Sequence, residues 1–272
     1  MKKISHLVVL EGESPKSVWL ADNLRGIEGY LMKFAMISDL HGNLYAVEKT
    51  IEDIKSHGVD QIICLGDVAT LGPDPKGVIQ LLQSINCPCI EGNHDEFMYS
   101  EQALKEYKTV PFIIDSVNAT RESLSESEIE YLKGFKKNLE YTVGDKKVLF
   151  YHGTPESNTF NLLPDTPASV YDECFQNLNY NVFVGGHTHV QMMVPYKGNL
   201  VVNCGSVGLP FEEFVTGKEP VIMNRSEYAT VELNKTGIHV EFHHILLDSK
   251  IIRESFVTWD NPLRPHRLRQ YS

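Results

Sequence analysis

From Lys33 onward the chain alternates short apolar runs with polar or glycine-containing breaks. KFAMIS (33–38) has the length and composition of a buried strand and stops at Asp39. A helix is predicted next, with Asn43 as N-cap, Leu44, Val47, Ile51 and Ile54 on one face, and Gly58 closing it. DQIICLG (60–66) is a second strand that runs into Gly66-Asp67, and LGPDPKG turns the chain into a helix carrying Val78, Ile79, Leu81 and Leu82. CPCIEG (87–92) reads as a third strand. This strand–helix alternation predicts a mostly parallel α/β layer with polar residues at the carboxyl ends of its strands.

Beyond a charged, helical surface segment at 115–138, the pattern becomes strand-rich: YTV, KKVLFYH, YNVFVGG, QMMVPY and NLVVNCG, separated by turn signals. SEYATVEL and GIHVEFHHILL flank Asn234-Lys235-Thr236-Gly237 and predict a hairpin. The simplest architecture is α/β (α+β), with two mixed sheets packed face to face and helices outside. Residues 1–31 are read as an N-terminal extension dispensable for the site, because MKFAMISDLHGN at Met32 looks like a beginning. Residues 32–250 form a single domain with no Pro/Gly/Ser linker, and 251–272 a basic tail, solvated or packed on the surface.

Composition narrows the function. At 272 residues and 42% hydrophobic, the chain can bury a substantial core. A net charge of −11 argues against a surface that tracks long nucleic acid, which needs clustered Lys and Arg. It leaves room for a small anionic substrate drawn in by metal. The apolar runs fall well short of the ~20 residues of a membrane span. The N-terminal HLVVL is cut off by Glu11 and Glu13, short of a secretory signal. Five cysteines suit reduced thiols better than a disulfide scaffold, so a cytoplasmic location is expected, without membrane attachment and with oligomerisation open.

Candidate chemistry collects where the apolar runs end. They are followed in turn by Asp39-Leu40-His41, Gly66-Asp67, Gly92-Asn93-His94-Asp95, His152-Gly153 and Gly186-His187-Thr188-His189. Each piece alone occurs by chance in many proteins; five in order do not. Alternation along extended chain would aim both members of D-x-H, and of H-x-H, the same way. The seven candidate ligands are Asp39, His41, Asp67, Asn93, His152, His187 and His189. They exceed one tetrahedral ion and fit two divalent ions sharing a carboxylate, with N and O donors suited to Mn, Fe or Zn. The other six histidines (His6, His57, His239, His243, His244, His266) follow no such rule and are expected to be ordinary surface or hairpin residues.

The ordered set resembles the calcineurin-like metallophosphoesterases, D-x-H … G-D … G-N-H-D/E … H … G-H-x-H, over about Met32–Gly208. LGDVATLGPDP and NCGSVGLP are similar to the compact bacterial and archaeal phosphodiesterase branch. The resemblance implies a four-layer αββα sandwich and two metal ions, Mn2+ first, with Fe, Zn or Ni as alternatives. One ion would take Asp39, His41 and His189, the other Asn93, His152 and His187, with Asp67 bridging. His94 would stabilise developing charge and protonate the leaving oxygen, and Asp95 would hold the His94 imidazole. The turn of Asn203, Gly205 and Ser206 would either line the substrate pocket or be structural, and 154–175 could rim the leaving-group site. The phosphoprotein phosphatases of this superfamily carry an arginine where Leu71 stands here, which disfavours phosphoproteins. The expectation is therefore a phosphodiesterase on small phosphodiesters or nucleotides, working through a metal-bridging hydroxide. The alternatives are a dinucleoside polyphosphate hydrolase, a phosphomonoesterase, and a non-catalytic scaffold of the same fold.

Overall fold

The computed structural model describes residues 31–107, 109–215 and 219–271. The extension expected at 1–31 lies outside them except for Leu31, which opens β1 (Leu31–Ile37). Asn43 caps α1 (Leu44–Ser56), its side chain accepting from the Ala46 amide, and the chain returns through β2 (Gln61–Cys64). Asp74 caps α2 (Pro75–Ser84), which has proline at the first helical position. Four helices follow: α3 (Asn93–Glu96), α4 (Glu101–Glu106), α5 (Pro111–Ser123) and α6 (Glu126–Lys133). Then come β3 (Leu139–Val143), β4 (Lys146–Phe150), α7 (Ala168–Phe175), β5 (Val182–Gly185), β6 (Met192–Tyr196) and β7 (Asn199–Asn203). The hairpin of β8 (Arg225–Asn234) and β9 (Gly237–Leu246) precedes α8 (Ser249–Val257) and α9 (Arg264–Gln270).

Both sheets are mixed. One has the order β2-β1-β8-β9, with only β1–β2 parallel; the other is β3-β4-β5-β7-β6, with β4–β5 and β5–β7 parallel. Strand alternation sorts the apolar side chains into layers. Phe34, Met36, Val148, Phe150, Val182, Val184, Ala229 and Val231 form the core shared by the two sheets. Their neighbours Ala35 and Ile37 pack with Val47, Ile51, Val78 and Phe256 on the helical side, while Leu149 and Phe183 meet Tyr171 and Phe175 of α7. The four-layer αββα sandwich follows from these three interfaces. The carboxyl ends of β1, β2, β4 and β5 all lead into the loops that carry the candidate ligands.

Three local expectations change. CPCIEG is not a strand but two isolated parallel bridges, Cys89 with Cys64 and Ile90 with Lys136, because Pro88 has no N–H and only its carbonyl pairs, with the Cys64 amide. The 115–138 segment is two helices rather than one surface piece, and Val117, Leu124 and Leu132 are buried in the core. The C-terminal segment, expected as a solvated or surface-packed tail, is a helical pair whose Ile252, Phe256, Leu263 and Tyr271 join the same core. All five cysteines are free thiols.

Candidate metal centre

The ligand loops are not extended. Asp39, His41, Asp67, His187 and His189 all have left-handed backbone, with φ between 46° and 70°. Non-glycine residues rarely adopt it, and it costs roughly 1–2 kcal/mol each. D-x-H and H-x-H therefore converge through tight left-handed turns, not through the strand alternation expected. Long-range backbone bonds hold these turns: Asp39 N–H to Gly66 O (2.9 Å), His41 N–H to Asp67 O (2.9 Å) and Gly208 N–H to Asp39 O (3.0 Å). The loops also lie too close for a side chain between them. A Cβ on Gly92 would stand 2.1 Å from Asp67 Oδ1, and one on Gly186 would stand 2.0 Å from Ser38 Oγ.

All seven candidate ligands come together, buried. Ligand-type atoms of Asp39, His41, Asp67 and His189 lie within 4.8 Å of one another, as do those of Asp67, His152 and His187. Asp67 belongs to both groups, with Oδ1 3.5 Å from His152 Nε2 and Oδ2 3.8 Å from His41 Nε2. Asn93 Oδ1 stands 3.2 Å from His152 Nε2.

Proton assignment decides what this packing can hold. His189 Nδ1 donates to Leu209 O (2.7 Å) and His152 Nδ1 to Leu65 O (2.6 Å), which turns Nε2 of each ring inward. His189 Nε2 then faces His41 Nε2 at 3.1 Å and Asp39 Oδ1 at 3.2 Å, so three ligand-type atoms converge on one point. Asp39 Oδ1 and His187 Nε2 are buried without any hydrogen-bond partner. Such groups are costly unless something electropositive sits among them. The donor set, imidazole nitrogens with carboxylate and amide oxygens, fits divalent transition ions.

Burial is the largest influence on Asp39, His41, His94, Asp95, His152 and His187. It lowers His41 and His94, and with the nearby His152 it takes His187 down to about 3. It also works to lower His152 and to raise Asp39, but neighbouring charges outweigh it: Asp67 lifts His152 to about 9 and His189 holds Asp39 at about 2. Asp95 is raised to about 7 by burial and by the charge of Asp67.

His94 borders the cluster, its amide donating to Asp67 Oδ1 (2.8 Å). The expected partnership with Asp95 is corrected. The Asp95 carboxylate accepts from the amides of Asp67 (2.8 Å), Val68 (2.9 Å) and Gly92 (2.9 Å), and thereby pins the two ligand loops together. The partner of His94 is Thr70, whose hydroxyl lies 2.7 Å from Nδ1. Nothing in the residue pattern singles out Thr70 beyond its place four residues after Gly66. Asn203, Gly205 and Ser206 do not line the site either. Asn203 Nδ2 donates to Gly186 O (2.5 Å), the Gly205 amide to Asn203 Oδ1 (2.9 Å) and Ser206 Oγ to Asp39 O (2.8 Å), so the turn is a structural brace.

Among the remaining histidines, His243 is buried rather than superficial. With Asp53 and His57 it makes a third group of ligand-type atoms within 4.8 Å. Here hydrogen bonds account for the atoms: Tyr228 Oη donates to Asp53 Oδ2 (2.6 Å), His57 Nδ1 bonds Asp53 O (2.9 Å) and Thr230 Oγ1 lies 3.1 Å from His243 Nε2. The group clamps α1 to β8 and β9. Among the described residues no helix is long and apolar enough to cross a membrane.

The sequence profile of the calcineurin-like phosphoesterase superfamily domain matches residues 32–228, which include all seven clustered residues and His94. The chain belongs to that superfamily. An uncharacterised protein of Methanocaldococcus jannaschii is 29% identical over 177 residues, 64% of this chain and 70% of that one. The metallophosphoesterase of Sphaerobacter thermophilus superposes with a TM-score of 0.67 at 21% identity, covering 89% of this chain and 100% of its own. A hypothetical protein of Pyrococcus horikoshii gives 0.73 at 20% identity, covering 88% and 96%. The phosphoesterase sandwich is thus shared with both, and the profile ends within β8, short of β9, α8 and α9.

Proposed function

We propose that this phosphoesterase-family chain is a dinuclear metal-dependent phosphodiesterase acting on small phosphodiesters or nucleotides. The observation that carries the reading is the pair of buried donor groups sharing Asp67, whose inward lone pairs and unpartnered Asp39 Oδ1 and His187 Nε2 call for cations. Asp39, His41 and His189 would hold one ion and Asn93, His152 and His187 the other, Mn2+ being the first candidate. Two such ions supply Lewis-acid polarisation of a phosphoryl oxygen and acidify a water nucleophile.

The chain's own residues supply the rest. Thr70 engages His94 Nδ1, which leaves Nε2 as the atom that hands a proton to the leaving oxygen. With its Oδ1 turned to His152, Asn93 has a buried Nδ2 without an acceptor, a donor available to a phosphoryl oxygen. Leu71, apolar and buried, lines the same cleft as His94 where a phosphoprotein phosphatase would place an arginine. The test is hydrolysis of bis-(p-nitrophenyl) phosphate by Mn2+-loaded protein, abolished by chelator and restored by metal. Protein shown to carry two ions per chain yet inert toward this diester would falsify the reading.

A further inference from the structure

Two cavities of opposite character open on the cluster. One, of about 330 Å3, borders His41, Asp67, His187 and His189, and contains His94. Its walls are mostly apolar, Tyr107, Ile113, Phe211 and Phe214 among them, with Thr109 and Asn161 as polar members. The Phe211 ring lies on the His189 imidazole with centroids 4.2 Å apart and planes 21° apart, and Tyr107 stands 6.3 Å from His94. Tyr107 and Phe211 pack against the core on one side, and like Phe214 they are only partly buried and line the cleft with the rest of their surface. The second cavity, of about 180 Å3, reaches the cluster at His152 and is polar, bordered by Glu91, Glu96, Lys137 and Asn158, with Pro155 its apolar member. Asn158 Nδ2 donates to Glu96 (2.9 Å), and Tyr99 donates to Glu91.

We propose that the site sorts the two substituents of a phosphodiester, so that the apolar or aromatic one leaves and the polar one stays on phosphorus. This rests on the phosphodiesterase reading above and deepens it. His94 borders the apolar cleft and not the polar cavity, so only the ester oxygen on the apolar side lies beside its proton. In that step the oxygen of water bonds to phosphorus and the P–O bond to the apolar substituent breaks. The departing oxygen takes the His94 proton, and a proton released from water restores the imidazole. The products are an apolar alcohol or phenol and a phosphomonoester of the polar group. The reverse placement would press an apolar group against carboxylates and an ammonium and leave the ring-lined cleft to a polar one, losing the gain from apolar burial.

Benzyl methyl phosphate tests this, because benzyl alcohol and methanol are leaving groups of nearly equal acidity. The Mn2+-loaded enzyme should release benzyl alcohol and methyl phosphate about tenfold or more in preference to methanol and benzyl phosphate, as counted by phosphorus NMR. In the double variant Phe211→Ala/Phe214→Ala the ratio should fall toward one. The ratio is set within each turnover, so a misfolded fraction does not alter it. An even split in the parent, an excess of benzyl phosphate, or a ratio unmoved in the variant overturns the sorting while leaving the phosphodiesterase reading intact. Metal-loaded protein that cleaves neither this diester nor bis-(p-nitrophenyl) phosphate overturns that reading and the sorting with it.

Discussion

Thr70 and Asp95 show how far a residue's work departs from its place in a motif. Thr70 is the hydroxyl that orients His94. Thr70→Val should lower kcat on bis-(p-nitrophenyl) phosphate by about tenfold or more, against about a hundredfold or more for His94→Ala, as expected for positioning against direct proton transfer. Both variants should keep their metal. Thr70→Ser should recover most of the loss together with the parent pH–rate profile, which a merely structural role would not do. Asp95 serves three amides instead of an imidazole. Asp95→Ala leaves buried N–H groups unpaired at about 1–3 kcal/mol each. It should therefore lower the chemical-denaturation midpoint, whereas His94→Ala should not. Equal midpoints for the two variants would count against the bracing role.

Among the elements, α1 shows chemistry-bearing residues recruited for docking. Asp53 on its last turn and His57 at its C-cap meet Tyr228 and His243 on the β8–β9 hairpin, with the Tyr228 and His243 rings stacked at 4.3 Å. Burial, the largest influence, lowers the His243 pKa below its usual 6.5, against the nearby Glu241 and with His57 acting in the same direction. Asp53, Glu241, His57 and Lys33 are the charged and titratable groups that act on it. The unfolded chain then binds this proton more readily than the fold, so its contribution to stability is present above about pH 6.5 and lost as pH falls below it. His243→Gln should accordingly lose less stability than the parent between about pH 7 and about pH 5 in urea titrations. Parallel curves would rule out this group as a source of acid sensitivity. At the other end of the chain, α9 reaches back to the site loop through Arg267 Nε, which donates to Leu71 O (3.1 Å). Removing residues 249–272 uncovers the core at Ile252, Phe256 and Leu263, so the truncated protein should fail to give a cooperative melt.

At the scale of the whole molecule, the two sheets face each other so that the loops leaving β1, β2, β4 and β5 meet above one core. His41 and His189 are 148 positions apart in sequence and 3.1 Å apart in space. Metal held between them would bind the folded state alone. Ions at a thousand times their dissociation constant add about 4 kcal/mol per site. Chelator should thus lower Tm by several degrees and Mn2+ should restore it, while Asp67→Asn, missing the shared carboxylate, should show a much smaller Mn2+ effect and reduced bound metal by elemental analysis. A Tm indifferent to chelator in protein that had carried two ions would contradict the coupling.

Much of this is legible in the order of residues, and the reason is physical. Strand and helix periods record which faces meet water, so KFAMIS, NVFV and the β8–β9 hairpin are read correctly from hydrophobicity alone. Residue types that bind cations announce themselves at strand ends, which is how Asp39, His41, Asp67, Asn93, His152, His187 and His189 are found together in the sequence before they are found together in space. What escapes is what depends on distant backbone. Left-handed turns at five of those residues, the carbonyls of Leu65 and Leu209 that set imidazole tautomers, and the capture of three amides by Asp95 arise only when segments remote in sequence are packed against each other. The same holds for the pairing of His94 with Thr70 and for the ring-lined and polar cavities that border the cluster. The chain by itself therefore determined the layers and the donor atoms. The tertiary structure decided which lone pairs face inward, because direction is set by the hydrogen bond on the far side of each ring.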